Sequence, residues 1–184
     1  MAPTKNVSVF CGSRPGNRPS FGAAAAELGA LLAQRGIGLV YGGASVGLMG
    51  VVADAALAAG GRVTGVITES LADHEIAHRG LARLDVVATM HERKARMAEL
   101  SDAVIMLPGG FGTLEEFMES VTWLHLGIHD KGCGILNVDG YFDDLWRFVT
   151  HSVEMDFIAP QLVERIAVSD HPGRLLDALH LAAP

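Results

Sequence analysis

Cysteine is scarce in this sequence of 184 residues, which contains only Cys11 and Cys133. One widely separated pair cannot supply a disulfide framework, and no secretory signal precedes residue 6. We therefore expect a cytoplasmic protein in which both thiols are reduced and buried.

Long apolar runs and an excess of basic residues are also missing. Gly, Asp or Arg interrupts each apolar run before it reaches the roughly 18 residues of a membrane span. The net charge is −7, whereas nucleic-acid surfaces draw most of their affinity from basic patches. We expect neither a membrane nor a nucleic-acid partner, and an anionic ligand would need a local group of cations.

Common metal and nucleotide motifs are absent as well. No G-x-G-x-x-G precedes an acid about 20 residues on, and no Gly-Lys-Ser/Thr ends a phosphate loop. His91-Glu92 lacks the histidine at position 95 that a zinc helix requires, and His125 with His129 has no third ligand nearby. We expect neither a metal nor a cofactor.

Short apolar segments alternate with helical patterns along the whole chain, and 49% of the residues are hydrophobic. This alternation predicts one α/β domain over residues 1–184, a Rossmann-like, doubly wound and mostly parallel sheet with helices on both faces. The strands are predicted at 6–11, 38–41, 62–67, 84–88, 103–107, 134–138 and 166–168. Helices are predicted at 20–35, 90–100, 113–126, 141–155 and 173–179, and a further helix follows the Gly-rich segment 42–50 and ends at Gly60-Gly61. Residues 68–83 are predicted to be a loop with short helical turns.

The segment 107–116, LPGGFGTLEE, is the most informative part of the sequence. It follows a predicted strand, contains three glycines within four residues and opens a helix, whose first N–H groups attract anions. Ligands of such sheets bind beyond the carboxyl ends of the strands. We expect the Gly-rich loops after the first, second and fifth strands to meet there in one pocket.

Glu115 and Glu116 follow the glycines, and acids beside a bound anion repel it unless they have another role. A structural role is available, because Thr113 as N-cap and Glu116 three residues on would form a T-x-x-E capping box. The alternative is a carboxylate that takes part in chemistry. The spacing alone leaves both open.

Residues 108–116 match the signature PGGxGTxxE, and residues 90–94 read MHERK. With segments 9–13, 41–50, 65–67 and 122–139, they make the chain resemble the Lonely Guy family, often labelled "possible lysine decarboxylase". The resemblance implies a homodimeric hydrolase that cleaves the N-glycosidic bond of cytokinin riboside 5'-monophosphates or AMP. The products are the free base and ribose 5-phosphate.

The resemblance also implies roles for individual residues. Arg93 matches the family's essential arginine, and its guanidinium suits bidentate contacts with the phosphate or the ribose of the substrate. Glu116 would stabilise an oxocarbenium-like ribose. Glu75 and Thr122 align with substrate-binding residues, although a loop acid and a helix hydroxyl are the plain alternatives. The remaining candidate substrate contacts are Lys94, Gly109, Gly110, Phe111, Gly112, Thr113, Leu114 and Glu115, with Ser13, Gly43 and Ser45 as further phosphate-loop contacts.

Some alternatives stay open. Lys94 fits a solvated charged face as well as it fits a substrate contact.

A pyridoxal phosphate-dependent decarboxylase needs a Schiff-base lysine, yet the chain has only Lys5, Lys94 and Lys131. A nucleotide-binding protein without chemistry, or a DNA-processing or molybdopterin-type carrier on a related fold, would also use a glycine-rich turn. His125 and Gly132 depart from the family's usual glutamine and proline, which leaves the substrate preference open.

Overall fold

The protein folds around one seven-stranded sheet in which every pairing is parallel, so the expected α/β architecture is confirmed. The computed structural model describes residues 5–72 and 77–181. The strand order is β4-β3-β2-β1-β5-β6-β7. The strands are β1 (Asn6–Phe10), β2 (Gly38–Tyr41), β3 (Val63–Thr68), β4 (Arg83–Val87), β5 (Ala103–Met106), β6 (Gly132–Leu136) and β7 (Ile166–Ser169).

Helices connect the strands and cover both faces of the sheet. They are α1 (Pro19–Gln34), α2 (Gly47–Ala58), α3 (Glu69–Leu71), α4 (Met90–Leu100), α5 (Phe111–His125), α6 (Asp143–Glu154), α7 (Pro160–Val163) and α8 (Pro172–Ala178). Among the residues that the structure describes, no helix combines the length and apolar character of a membrane span.

Two apolar cores lie on opposite faces of the sheet. Val7 and Val9 of β1 point into the core that α1, α2 and α8 cover. Phe10 points into the other core, which contains Met97 of α4 and Phe117 of α5. Because successive strand residues face opposite sides, a strand that is covered on both faces is apolar nearly throughout.

The direction of the winding reverses at β1. The chain fills the sheet from β1 towards β4, and then returns to the other side of β1 with β5 and continues to β7. Val9 pairs with Tyr41 on one side and with Ile105 on the other. The loops after β1 and β5 therefore leave the same edge and turn towards opposite faces, which opens a crevice where ligands of such folds bind.

Some predicted bounds were wrong by about two residues. The sixth strand is Gly132–Leu136 rather than 134–138, and α6 begins at Asp143 rather than at residue 141. A 3₁₀ turn at Val138–Gly140, with Asp139 in the left-handed region at φ 51°, occupies the space before α6. Helix α4 has the predicted bounds, 90–100.

Candidate active site

A cleft of about 480 Å³ opens at the point where the winding reverses. Residues 12–16 of the loop after β1 form one wall, and residues 108–111 after β5 form the other. Phe21, Leu48 and Tyr141 complete the lining. Its volume lies within the roughly 300–1,000 Å³ of small-molecule sites.

The segment 42–50 after β2 contributes Leu48 to the cleft. Ser13 also lies in the lining, whereas Gly43 and Ser45 do not. The backbone of this segment supports the cleft as well, because the N–H of Leu48 donates to the carbonyl of Gly12 at 3.0 Å. The carbonyl of Gly43 accepts the N–H of His78 at 2.8 Å.

The capping box that the T-x-x-E spacing would allow at the start of α5 does not form. Gly110 is the N-cap and Phe111 the first helical residue, and the N–H of Leu114 donates to the carbonyl of Gly110. Thr113 is therefore already inside the helix, and Glu116 lies in its second turn. An extended Gly110, at φ −99° and ψ −153°, lets the helix start two residues earlier than predicted.

The glycine turn is tightly packed against its surroundings. A Cβ on Gly109 would lie 2.1 Å from Oγ1 of Thr113 and 2.9 Å from the backbone N of Gly12. The hydroxyl of Tyr141 donates to the carbonyl of Gly109 at 2.7 Å. Sequence reasoning missed Tyr141, since it comes 32 residues after Gly109 and no motif marks it. Because this carbonyl is bonded to Tyr141, it is not a free acceptor in the lining.

Arg93 and Glu116 form a buried ion pair close to the cleft. Nη1 of Arg93 lies 2.7 Å from Oε1 of Glu116, and only 8% and 12% of their side chains are exposed. Nε of Arg93 donates to the carbonyl of Val66 at 2.9 Å. A Cβ on Gly42 would lie 2.2 Å from Nη2 of Arg93. The guanidinium therefore occupies the space that this glycine leaves.

The pKa of Glu116 depends on both its burial and its ion pair with Arg93. Burial raises the pKa of Glu116, while the charge and hydrogen bond of Arg93 oppose that rise. Burial, with a smaller effect from Glu116, also raises the pKa of the Cys11 thiol. Cys11 directly precedes Gly12 of the cleft lining. Neither Arg93 nor Glu116 lines the cleft itself.

Lys94 also pairs with carboxylates rather than facing open solvent or the cleft. Its ammonium lies 2.5 Å from Oε1 of Glu115 and 3.0 Å from Oε1 of Glu119, and 10% of its side chain is exposed. Burial alone would lower the pKa of Lys94, but the hydrogen bonds to Glu115 and Glu119 raise it. Glu115 is thus a partner of Lys94 on the outer side of α5.

The other candidates divide between the cleft and more distant positions. Gly109, Gly110 and Phe111 line the cleft, and Gly112 is exposed in the first turn of α5. Leu114 packs on the core. Thr122 is exposed near the far end of α5, where its hydroxyl donates to the carbonyl of Met118 at 2.8 Å. Glu75 lies outside the described residues.

The T-x-x-E spacing caps α4 instead. Oγ1 of the N-cap Thr89 accepts the N–H of Glu92 at 3.1 Å, and Oε2 of Glu92 accepts the N–H of Ala88, the residue before the N-cap, at 3.0 Å. These two bonds fix the start of the helix that carries Arg93 one residue later. The sequence signal was available, since Thr89 and Glu92 have the same spacing as Thr113 and Glu116.

No group of three or more His, Cys, Asp or Glu side chains that could hold a metal occurs among the residues of 5–72 and 77–181. The three lysines do not fit a pyridoxal phosphate site either. Nζ of Lys5 donates to the carbonyl of His180, and Nζ of Lys131 donates to that of Ala98. Lys94 binds Glu115 and Glu119, and none of the three lines the cleft.

A parallel sheet with helices on both faces and a crevice at the reversal of its strand order defines a Rossmann-like α/β protein. A family model described as "Possible lysine decarboxylase" matches residues 49–179. A probable cytokinin riboside 5'-monophosphate phosphoribohydrolase of Oryza sativa subsp. japonica is 48% identical over 98% of this chain and 72% of its own length. The chain belongs to this family, so the resemblance to the Lonely Guy proteins is confirmed.

Other similar proteins agree with this assignment. Cytokinin riboside 5'-monophosphate phosphoribohydrolases of Arabidopsis thaliana and Rhodococcoides fascians are each 51% identical, over 85% and 89% of this chain and 73% and 83% of their own lengths. The solved molybdenum cofactor binding protein of Rippkaea orientalis has a TM-score of 0.73 at 20% identity, with 98% of both chains covered. At that identity the likeness concerns the fold alone.

The first prediction concerns the buried pair. Replacing Arg93 with methionine leaves Glu116 buried without its cation, so we expect a loss of about 3–5 kcal/mol in unfolding free energy near pH 7.5. Burial raises the folded pKa of Glu116 above its unfolded value, so stability is lost as the pH rises through the folded pKa. The deficit should therefore shrink as the pH falls towards 5. Urea unfolding of the native protein and the variant at both pH values measures it.

The double variant Arg93→Met, Glu116→Gln is the matched control, because it has no carboxylate at this position. Its deficit should not change between the two pH values. A deficit of Arg93→Met that is the same at pH 5 and pH 7.5 would show that the charge of Glu116 does not depend on Arg93.

Proposed function

We propose that the protein hydrolyses the N-glycosidic bond of cytokinin riboside 5'-monophosphates and of AMP, releasing the free base and ribose 5-phosphate. The observation that carries this proposal is the buried pair of Arg93 and Glu116, whose carboxylate lies on the helix that the glycine turn opens. Relatives that are about half identical over most of their length bear the corresponding name.

The geometry supports two subsites, one for the 5'-phosphate at the start of α5 and one for the ribose towards Glu116. The first N–H groups of α5 lack partners within the helix and carry partial positive charge, so they suit the 5'-phosphate. Glu116 follows Phe111 by five residues, which corresponds to about 7.5 Å along the helix axis. Helical side chains tilt towards the N-terminus, so its carboxylate projects back in the direction of the phosphate site. A ribose that extends from that phosphate would bring its anomeric carbon towards Glu116.

The chemistry of the bond then assigns a role to each member of the pair. Departure of the base leaves positive charge on the ribose, which a nearby carboxylate stabilises while it orients the attacking water. Arg93 favours the ionised form of Glu116 against the effect of burial. It also fixes the position of the carboxylate, because its own Nε is held by the carbonyl of Val66. Glu116 is the proposed catalytic carboxylate, and Arg93 holds and orients it.

The direct test is incubation of the purified protein with AMP and with its N6-prenyl form, followed by chromatography for free base. We expect base release from both, and far slower release from the unphosphorylated ribosides, because only the monophosphates can occupy the N-terminus of α5. Binding of AMP without any release would indicate a nucleotide-binding protein instead. Comparable rates with adenosine would contradict the proposed phosphate site.

Replacing Glu116 with glutamine should separate chemistry from binding. Glutamine keeps the shape and an acceptor for Arg93 but removes the negative charge, so base release should fall by about two or more orders of magnitude. Binding of AMP should persist, since the backbone donors of α5 remain. Turnover is measured at a temperature where circular dichroism shows both proteins to be folded.

Glu119→Gln on the same helix is the matched control for that substitution. Glu119 pairs with Lys94, which keeps Glu115 as its other partner. We expect this variant to retain turnover within about threefold, because removing one anion from a partly exposed network has a small effect. Equal losses in both variants would argue against a special role for Glu116.

We also propose that the protein is a cytoplasmic homodimer in which a second copy covers α4 and α5. Phe111, Glu115, Thr122 and Leu126 lie on one face of α5 by helical spacing, and 94% of Phe111 and 63% of Leu126 are exposed. These two large apolar side chains, one at each end of the same exposed face, support an interaction surface along α5. In such a dimer, Thr122 would lie near the other subunit. The free, buried state of Cys11 and Cys133 is compatible with a reducing compartment.

Size-exclusion chromatography with light scattering should therefore give twice the chain mass of 19.4 kDa. Leu126→Glu places a charge in the proposed interface and should produce a monomer. Phe157→Glu is the control, because Phe157 is 87% exposed but lies outside α4 and α5, after the end of α6. A native protein that is monomeric at micromolar concentration would contradict the proposal.

A further inference from the structure

The cleft contains one charged side chain, and this side chain is neither Arg93 nor Lys94 of the MHERK segment. Of the described residues that line it, Arg14 alone is charged. Arg93 and Lys94 are bound to carboxylates of α5. A phosphate monoester carries a charge of about −1.5 to −2 at pH 7, and the whole chain carries −7. The phosphate therefore requires a cation that is not already neutralised.

The backbone of Arg14 is held firmly on the wall that faces the glycine turn. A Cβ on Gly12 would lie 2.9 Å from the carbonyl oxygen of Arg14. A Cβ on Gly47, which has φ +57°, would lie 2.5 Å from the backbone N of Arg14. Side chains at these two positions would collide with the loop, so both glycines allow the close packing that fixes residue 14.

Unlike its backbone, the side chain of Arg14 is not held by neighbouring residues of the described part of the chain. It is exposed, and it makes no ion pair or hydrogen bond with the residues that the structure describes. Arg18, four residues later in the same loop, lies 3.7 Å from a carboxylate oxygen of Asp139. Arg14 thus combines a fixed position in the cleft wall with an unoccupied guanidinium.

We propose that Arg14 is the residue that selects for the 5'-phosphate of the substrate. Its guanidinium would bind two phosphate oxygens from the β1 side, while the first N–H groups of α5 bind from the β5 side. This inference rests on the proposed function, and it takes phosphate recognition away from Arg93, whose donors already bind Val66 and Glu116.

The test compares Arg14→Met and Arg14→Lys with the control Arg18→Met, using AMP and adenosine as substrates. Loss of a charge-assisted hydrogen bond corresponds to about tenfold or more in affinity. We expect KM for AMP to rise by about that factor in Arg14→Met while kcat stays within about twofold. The rate with adenosine should not change. Arg14→Lys should recover part of the loss, since it keeps the charge but not the planar fork.

Two further readouts separate this inference from a general disturbance of the loop. The dependence of log KM on log salt concentration should become shallower in Arg14→Met, because one charge contact has been removed. Arg18→Met should match the native protein in every measurement. An unchanged KM for AMP in Arg14→Met, or equal effects on AMP and adenosine, would overturn the assignment.

The inference can also be tested independently of catalysis. If the native protein releases no base, calorimetric titration with AMP replaces the kinetic assay. A Kd that is about tenfold weaker in Arg14→Met, and unchanged in Arg18→Met, would support the role of Arg14 even though the proposed reaction had failed. Equal Kd values in the native protein and Arg14→Met would reject it.

Discussion

The ion pair between Arg93 and Glu116 is the interaction on which the architecture of the site depends. Two charges that leave water lose several kcal/mol of solvation each, so they are tolerated only with close geometry and further hydrogen bonds. The protein supplies these from separate elements: the carbonyl of Val66 at β3, the space left by Gly42 after β2, and the capped start of α4 at Thr89. From its position on α4, the guanidinium of Arg93 therefore joins β3, the turn after β2 and α5.

The cations near α5 have two different roles, because Arg93 and Lys94 hold helices together while Arg14 faces the cleft. Arg93 and Lys94 join α4 to α5 through Glu116, Glu115 and Glu119, which accounts for acids that follow an anion-binding turn so closely. Because those acids are neutralised, they repel a phosphate at the N-terminus of α5 less than free carboxylates would. The structure thus resolves an apparent conflict in the sequence, where two glutamates adjoin a phosphate-binding motif. It also explains why the cleft itself is left with Arg14.

Sequence patterns were sufficient for the sheet and for most helices. Apolar runs that end in glycine locate the strands, and the alternation of strands with helices implies parallel pairing. Sequence patterns were insufficient where two segments of the chain carry the same local signal. Thr89 and Thr113 both begin a T-x-x-E spacing, yet only Thr89 is the N-cap of a helix. An extended Gly110 starts α5 early, and φ and ψ of a glycine cannot be read from its neighbours. Contacts between distant residues, such as Tyr141 with Gly109, leave no local signal.

Stability alone gives little reason for the buried pair to be present. Replacing such a pair with apolar side chains of similar volume is often neutral or stabilising, whereas removal of one partner is strongly destabilising. A pair of this kind next to a ligand cleft is better explained by a task that requires a charge held in one orientation. The same fold in the molybdenum cofactor binding protein of Rippkaea orientalis, at 20% identity, shows that the sheet does not dictate that task. The function of this chain therefore has to be sought in residues such as Arg14, Arg93 and Glu116, for which the sheet provides only the positions.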